Sequence, residues 1–245
     1  MKRKTASGDE VVDVAYKALD GEIHSVAWAD LDPNAVAEGR PWRQFPWYLG
    51  QRSYSGLYWC ATESKHVGYE SLLELSRLMM ADFDSSSKHI VSQPFQIRSQ
   101  LDGERLTRVP DYLVLTDAEP VVIDVTRKER LETPKFKLLF DRTRRFVESR
   151  GGRYELAHEP PRTEYLNIRF LAGYRRPWLF DPKHVVEVRG LAEQSTRATV
   201  DEIASSTGLS RSTALPVLLH LLWRQDLAFD ITQRLSPATP VWAQP

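Results

Sequence analysis

Val109-Pro110-Asp111-Tyr112-Leu113, followed by Val121-Val122-Ile123-Asp124-Val125-Thr126, decides how the chain folds. Both runs are rich in β-branched and aromatic residues and read as neighbouring strands. Strand side chains alternate with period two. Asp124, Thr126 and Lys128 therefore share one face, and Val121, Ile123 and Val125 point to the other, towards a core. An acid inside a run of strong β-formers is locally unfavourable, and such violations mark functional sites. Two acids on adjacent strands offer the oxygen ligands that a divalent cation takes.

Outward from this pair, residues 69–83 predict a helix, with Leu72, Leu75, Leu78, Met79 and Phe83 at helical spacing and Glu70, Glu74 and Arg77 along one flank. Residues 90–97, 111–115 and 121–126 predict three strands, with turns at Asp102-Gly103 and residues 117–120. Residues 134–149 predict a helix, with Pro134 in its first turn and Gly151-Gly152 past its end. Residues 154–157 add a strand and residues 163–175 a helix. This order predicts an α/β domain, a mixed sheet flanked by helices over residues 41–178, with Glu74, Asp111 and Asp124 on consecutive elements. Residues 1–40 read as a loosely structured N-terminal arm with a few short elements. Residues 42–60 are crowded with aromatics, among them Trp42, Phe45, Trp47, Tyr48, Tyr54, Tyr58 and Trp59, which suit packed strands or, alternatively, stacking on bases.

A chain of 245 residues holds one large or two ordinary domains. With 42% hydrophobic and 27% charged residues, it has the composition of a soluble globular protein rather than a disordered one. No apolar run approaches the roughly 20 residues that span a bilayer, and the residues after Met1-Lys2-Arg3-Lys4 form no signal-peptide core. Cys60 is the only cysteine, which excludes an intrachain disulfide and a cysteine zinc site. A cytoplasmic location is expected. The six histidines, His66, His89 and His220 among them, show no metal-ligand spacing. Formal net charge is zero and favours no partner, but its distribution is uneven. Residues 127–153 set basic Arg127, Lys128, Arg130, Lys135, Lys137, Arg142, Arg144, Arg145, Arg150 and Arg153 against Glu129, Glu132, Asp141 and Glu148. A basic stretch beside an acidic site suits a phosphodiester, and a solvated helix face is the bland reading.

Four short motifs in order resemble the PD-(D/E)XK nuclease superfamily and, within it, the TnsA-like endonuclease subunits of heteromeric transposases. Ser71-Leu72-Leu73-Glu74 resembles the family's Ser-x-x-Glu helix start, and Ile90-Val91-Ser92-Gln93-Pro94-Phe95 its Glu-Gln-Phe/Tyr-Pro strand. Pro110-Asp111-Tyr112-Leu113-Val114 resembles its Asp-Phe-Leu-Val strand, and Val122-Ile123-Asp124-Val125-Thr126 its Ile-Gln-Val-Lys strand. The resemblance covers residues 40–160 and implies a restriction-endonuclease-like fold, Mg²⁺ (or Mn²⁺) held by Glu74, Asp111 and Asp124, and cleavage of double-stranded DNA at transposon ends. It further implies a DDE-type recombinase partner and an AAA+ ATPase regulator. The chain departs from the family at Thr126, where a lysine belongs. Thr126 can orient water but brings no charge. Lys128, two residues on, faces the same side if the strand continues, and Lys135 or Lys137 on the following helix is another source. Glu70 is the alternative helix acid. Two other readings stay open: a catalytically degenerate nuclease fold serving DNA binding or assembly, and a free-standing restriction or repair nuclease.

Residues 179–245 predict a C-terminal winged helix-turn-helix domain. Thr199 and Ser210 are candidate N-caps, Gly208 lies at the turn, and Val200, Ile203, Ala204 and Leu209 would pack on Val217, Leu218, Leu221 and Leu222. Residues 227–231 and 241–242 would form a wing with its tip at Gln233-Arg234. Arg211, Ser212 and Thr213 open the second helix, where base edges are typically reached, and Arg234 suits a phosphate. Docking to protein is the alternative. Pro216 inside the second helix lacks the N–H that a helix interior uses.

Overall fold

Two X-Pro steps, Gln93-Pro94 and Val109-Pro110, carry the chain between two sheets and so build the centre of the first unit. The computed structural model describes residues 11–43, 54–101, 104–195 and 197–244. In chain order it contains β1 Val11–Lys17, β2 Ile23–Ala27, α1 Pro33–Glu38, β3 Gly56–Cys60, β4 Lys65–Tyr69, α2 Leu72–Phe83, β5 Ser87–Ser92, β6 Gln96–Leu101, β7 Glu104–Arg108, β8 Tyr112–Thr116, β9 Pro120–Val125, α3 Pro134–Glu148, β10 Arg153–Ala157, α4 Arg162–Leu171, α5 Pro182–Gln194, β11 Ala198–Thr199, α6 Val200–Ser206, α7 Arg211–Trp223, β12 Leu227–Ala228 and β13 Pro240–Ala243. The chain is of mixed α/β class, as expected. It divides into two compact units, residues 1–75 with 86–158 and residues 76–85 with 159–245. None of its described helices is long and apolar enough to cross a membrane.

In the first unit one sheet has the order β2-β1-β6-β7 and another β10-β9-β8-β5. The predicted single strand over residues 90–97 is two strands in different sheets. Pro94 cannot donate to a ladder and Gln93 takes a φ of 47°, so β5 ends and the chain leaves for β6. Pro110 ends the ladder again after β7, and the chain returns as β8. The Asp102-Gly103 turn lies outside the described residues, although Leu101 stands opposite Glu104 across the flanking strands. β9 and β10 are parallel, which demands a crossover, and α3 supplies it. Gly151, with φ +75°, lets the chain turn back directly after α3.

The described part of the expected arm is ordered. β1 pairs with both β2 and β6, and its Val14 joins Phe95, Ile97, Leu113, Val122, Phe140 and Val147 in a common core. The alternation argument is corrected on β9. Val122, on the same face as Asp124, belongs to that core, and Val121 and Ile123 on the other face are buried too. β9 is an interior strand covered on both faces, so Asp124 is a buried acid, 1% exposed, rather than one on a wet face. Of the aromatic stretch, Tyr58 is buried and Tyr54 is 74% exposed, while Phe45, Trp47 and Tyr48 lie outside the described residues.

The second unit starts earlier than residue 179, because α4 belongs to it. Asn167 of α4 is buried, donates to the carbonyls of Ile231 and Gln233, and accepts from the Leu235 N–H, fastening the loop after β12. α6 opens with a complete capping box: Thr199 accepts from the Glu202 N–H and Glu202 accepts from the Thr199 N–H at 2.8 Å. Val200, Ile203 and Ala204 are buried, as are Val217, Leu218, Leu221 and Leu222 of α7. α7 runs through Pro216 without interruption, its apolar burial offsetting the lost backbone bond. β12 is shorter than the predicted 227–231, and β11 completes a small sheet of order β11-β13-β12.

Candidate functional site

Asp111 sits at the Pro110 break and stitches three segments together. Its N–H donates to the Ile123 carbonyl at 3.1 Å, its carbonyl accepts from the Gln93 N–H at 2.8 Å, and its Oδ2 accepts from the Val125 N–H at 2.6 Å. Its bonds to Ile123 and Val125 bracket Asp124 in the β9 sequence. That is why a strand-end acid and a mid-strand acid share one site. Burial, then the neighbouring Asp124 and Glu74 carboxylates, push the Asp111 carboxyl up to about 8, against the lowering pull of the Val125 N–H and Arg108. Asp111 thus lies within electrostatic reach of both other acids picked out in the sequence.

Asp124 is held from two sides. Arg108, the last residue of β7, places Nη2 at 2.6 Å and Nε at 3.2 Å from Oδ1. Tyr154 of β10 donates its hydroxyl to Oδ2. A carboxylate has about four lone-pair directions, and these contacts use three of them. Burial and the Asp124 charge raise the Tyr154 phenol, which keeps it protonated as a donor. The Arg108 guanidinium also lies over the Phe140 ring, 4.7 Å from its centroid.

Glu74 has a local duty. Its Oε2 accepts from the Glu70 N–H at 2.7 Å and its Oε1 accepts from the Ser71 hydroxyl, while Ser71 accepts from the Glu74 N–H. This is a capping arrangement at the start of α2. Burial raises its carboxyl despite these bonds. Tyr112 reaches the backbone here, its hydroxyl donating towards the Gly68 and Glu74 carbonyls at 3.3 and 3.4 Å. Glu70 points to Arg43 instead, at 2.7 Å.

The condition set for Lys128 is not met. β9 ends at Val125, Thr126 is buried with its N–H on the Ala157 carbonyl, and Lys128 opens a 3-10 helix over Lys128–Glu132 as an exposed residue. Lys137 pairs with Glu132 at 3.2 Å on the surface, and the Lys135 side chain lies outside the described residues. Arg108 and Tyr154, which sequence reasoning missed, are the side chains that meet Asp124. The Arg108-x-Pro-Asp111 spacing could have flagged Arg108, since a proline break lets both ends of the tetrapeptide face one site.

The donor chemistry fits a hard divalent cation: oxygen atoms only, crowded negative charge, and a protonated carboxyl where repulsion is greatest. The side chains are not gathered as such a centre needs: among the described residues no three His, Cys, Asp or Glu side chains are grouped as metal ligands. Asp124 already carries a guanidinium.

In the second unit, Ser210 contacts the Ser212 and Thr213 hydroxyls at 2.8 and 3.0 Å, and Arg211 is paired with Asp201. Arg234 is exposed beside a cavity of about 500 Å³ that Leu166, Phe170 and Leu235 also line. The buried His220 has Nδ1 at 2.7 Å from the Tyr174 carbonyl and stacks on Phe180, a structural role. No protein-family model matches the chain, and no curated protein matches it.

Proposed function

We propose that the chain is a divalent-metal-dependent DNA endonuclease subunit, with a restriction-endonuclease-like first unit and a winged-helix second unit, serving a transposase. The bracketing of Asp124 by Asp111 carries this reading: two carboxylates on adjacent strands, with Glu74 near, are what hydrolysis of a phosphodiester asks for. Mg²⁺ or Mn²⁺, when bound by Asp111 with Glu74 and Asp124, would supply an acidified water and neutralise charge on the phosphate. The protein's own part is positioning. The Val125 N–H fixes Asp111, Tyr154 and Arg108 fix Asp124, and Ser71 with the Glu70 N–H fixes Glu74. Thr126 flanks Asp124 and, unlike lysine, brings no charge to the site. Arg211, Ser212 and Thr213 at the start of α7, together with Arg234, would contact DNA, and the setting includes a DDE-type recombinase and an AAA+ regulator.

The test is nicking of duplex DNA carrying transposon ends, with Mg²⁺ or Mn²⁺ and the recombinase present. Asp111→Asn is expected to abolish nicking and to weaken Mn²⁺ binding in calorimetry while the fold persists. Undiminished nicking by that variant sinks the assignment. One observation favours a second reading, a degenerate nuclease fold that binds DNA or assembles the complex: a guanidinium occupies Asp124 where a cation is expected. On that reading the wild-type chain binds DNA or partner but takes up no Mn²⁺ at millimolar concentration.

A further inference from the structure

We propose that Arg108 supplies the positive charge that a lysine at position 126 would bring, and that its guanidinium meets the phosphate of DNA beside Asp111 and Asp124. The inference rests on the nuclease reading and adds the residue that completes it. A phosphodiester carries negative charge that grows on its oxygens as the bond to the leaving group breaks, so a fixed cation beside the acids lowers the barrier. Thr126 has none to give, Lys128 has left the strand for an exposed helical turn, and Lys137 lies on the surface beside Glu132.

Arg108 enters the site from the other sheet. Being the last residue of β7, it stands directly before the Val109-Pro110 break, so its side chain reaches Asp124 while the backbone turns away towards β8. Its position is fixed twice, by Asp124 Oδ1 and by the Phe140 ring. Its side chain is 17% exposed against 1% for Asp124, so part of the Arg108 side chain remains at the surface. Of the five N–H donors a guanidinium carries, Nε and Nη2 supply the two used on Asp124, and a phosphate oxygen takes the same fork geometry. Asp124 then has a second role as the anchor that aims Arg108.

The experiment compares the full wild-type chain with Arg108→Gln, Arg108→Lys, Thr126→Lys and the Arg108→Gln/Thr126→Lys double variant. Nicking rates, Mn²⁺ calorimetry and thermal melts are measured on each. Arg108→Gln is expected to lower kcat roughly 100-fold or more with a smaller change in KM. Its Mn²⁺ affinity should hold or tighten, because a cation has been removed from beside the acids. Adding Thr126→Lys should restore most of the rate, and Arg108→Lys should stay above Arg108→Gln. A folded Arg108→Gln that nicks at the wild-type rate overturns the proposal. So does one that loses Mn²⁺ binding together with nicking, for then Arg108 only holds the acids in place. If Arg108→Gln does not fold, the double variant decides: folded and nicking supports the proposal, unfolded or inactive overturns it. If Thr126→Lys nicks and the wild type does not, the nuclease reading stands and Arg108 is not the missing charge. If neither nicks nor binds Mn²⁺, both fall.

Discussion

Two Arg–Asp pairs of the molecule sit in opposite surroundings. In the first unit Arg108 and Asp124 meet with side chains 17% and 1% exposed; in the second, Arg211 and Asp201 meet at 50% and 51%. An exposed pair gains little, because water and salt screen it and two long side chains lose freedom. A buried pair has given up hydration on both sides, so each member depends on the other. The Arg108–Asp124 pair is therefore a structural commitment of the site. The Arg211–Asp201 pair is a resting arrangement that an incoming anion can replace cheaply.

The largest expected effect breaks the buried pair. Asp124→Ala leaves the Arg108 guanidinium without its anion and the Tyr154 hydroxyl without its acceptor. Loss of one partner of a buried pair costs about 3–5 kcal/mol, to be read from urea unfolding. A loss below about 1 kcal/mol, the value of an exposed pair, would place this pair in the same class as Arg211–Asp201.

A second effect isolates Asp111. With its folded carboxyl raised to about 8, the metal-free protein keeps a proton there that the unfolded chain releases near its ordinary value. The contribution is complete at acidic pH below that ordinary value and declines as pH rises through about 8. Stability in EDTA should thus fall with pH over that window, and Asp111→Asn should flatten the fall. Each unit of raised pKa is worth about 1.4 kcal/mol, so a series of thermal melts resolves it. A wild-type profile flat from pH 5 to 8 would mean the acids do not crowd one another in solution.

Much of this was legible in the sequence, and the failures share a cause. The apolar period of α2, the β-branched runs of β8 and β9 and the cap at Thr199 are local signals, and local signals placed those elements within a few residues. The burial of both faces of β9 is not local: alternation predicts a wet face for Asp124, whereas the Arg108 and Tyr154 side chains meet it there. Arg108 was missed because its partner is on another strand, and a polar strand such as β7 carries little pattern. The Ser71-x-x-Glu74 motif shows a different limit, since the same four residues spell a helix cap and a nuclease signature. In the folded chain Glu74 performs the cap, and the sequence alone has no means of separating the two duties. Pro94 is the local signal for the split of residues 90–97, since proline cannot donate to a ladder and ends β5 before β6 begins.

The smallest effect on stability falls on the exposed pair, where the functional effect should be clear. Arg211→Ala removes a contact that water already screens, so thermal unfolding should not move measurably. If the start of α7 lies against DNA, the same substitution should weaken duplex binding and lower the slope of log K against log salt by about one, the signature of one lost phosphate contact. Asp201→Asn sharpens the test, because it frees Arg211 without removing it: affinity should rise where Arg211→Ala makes it fall. Opposite shifts from the two halves of one ion pair are hard to obtain from misfolding. If neither variant alters DNA binding, the exposed tip of the second unit is better explained as a surface for a protein partner, and the contrast with Arg108–Asp124 becomes one of structure alone.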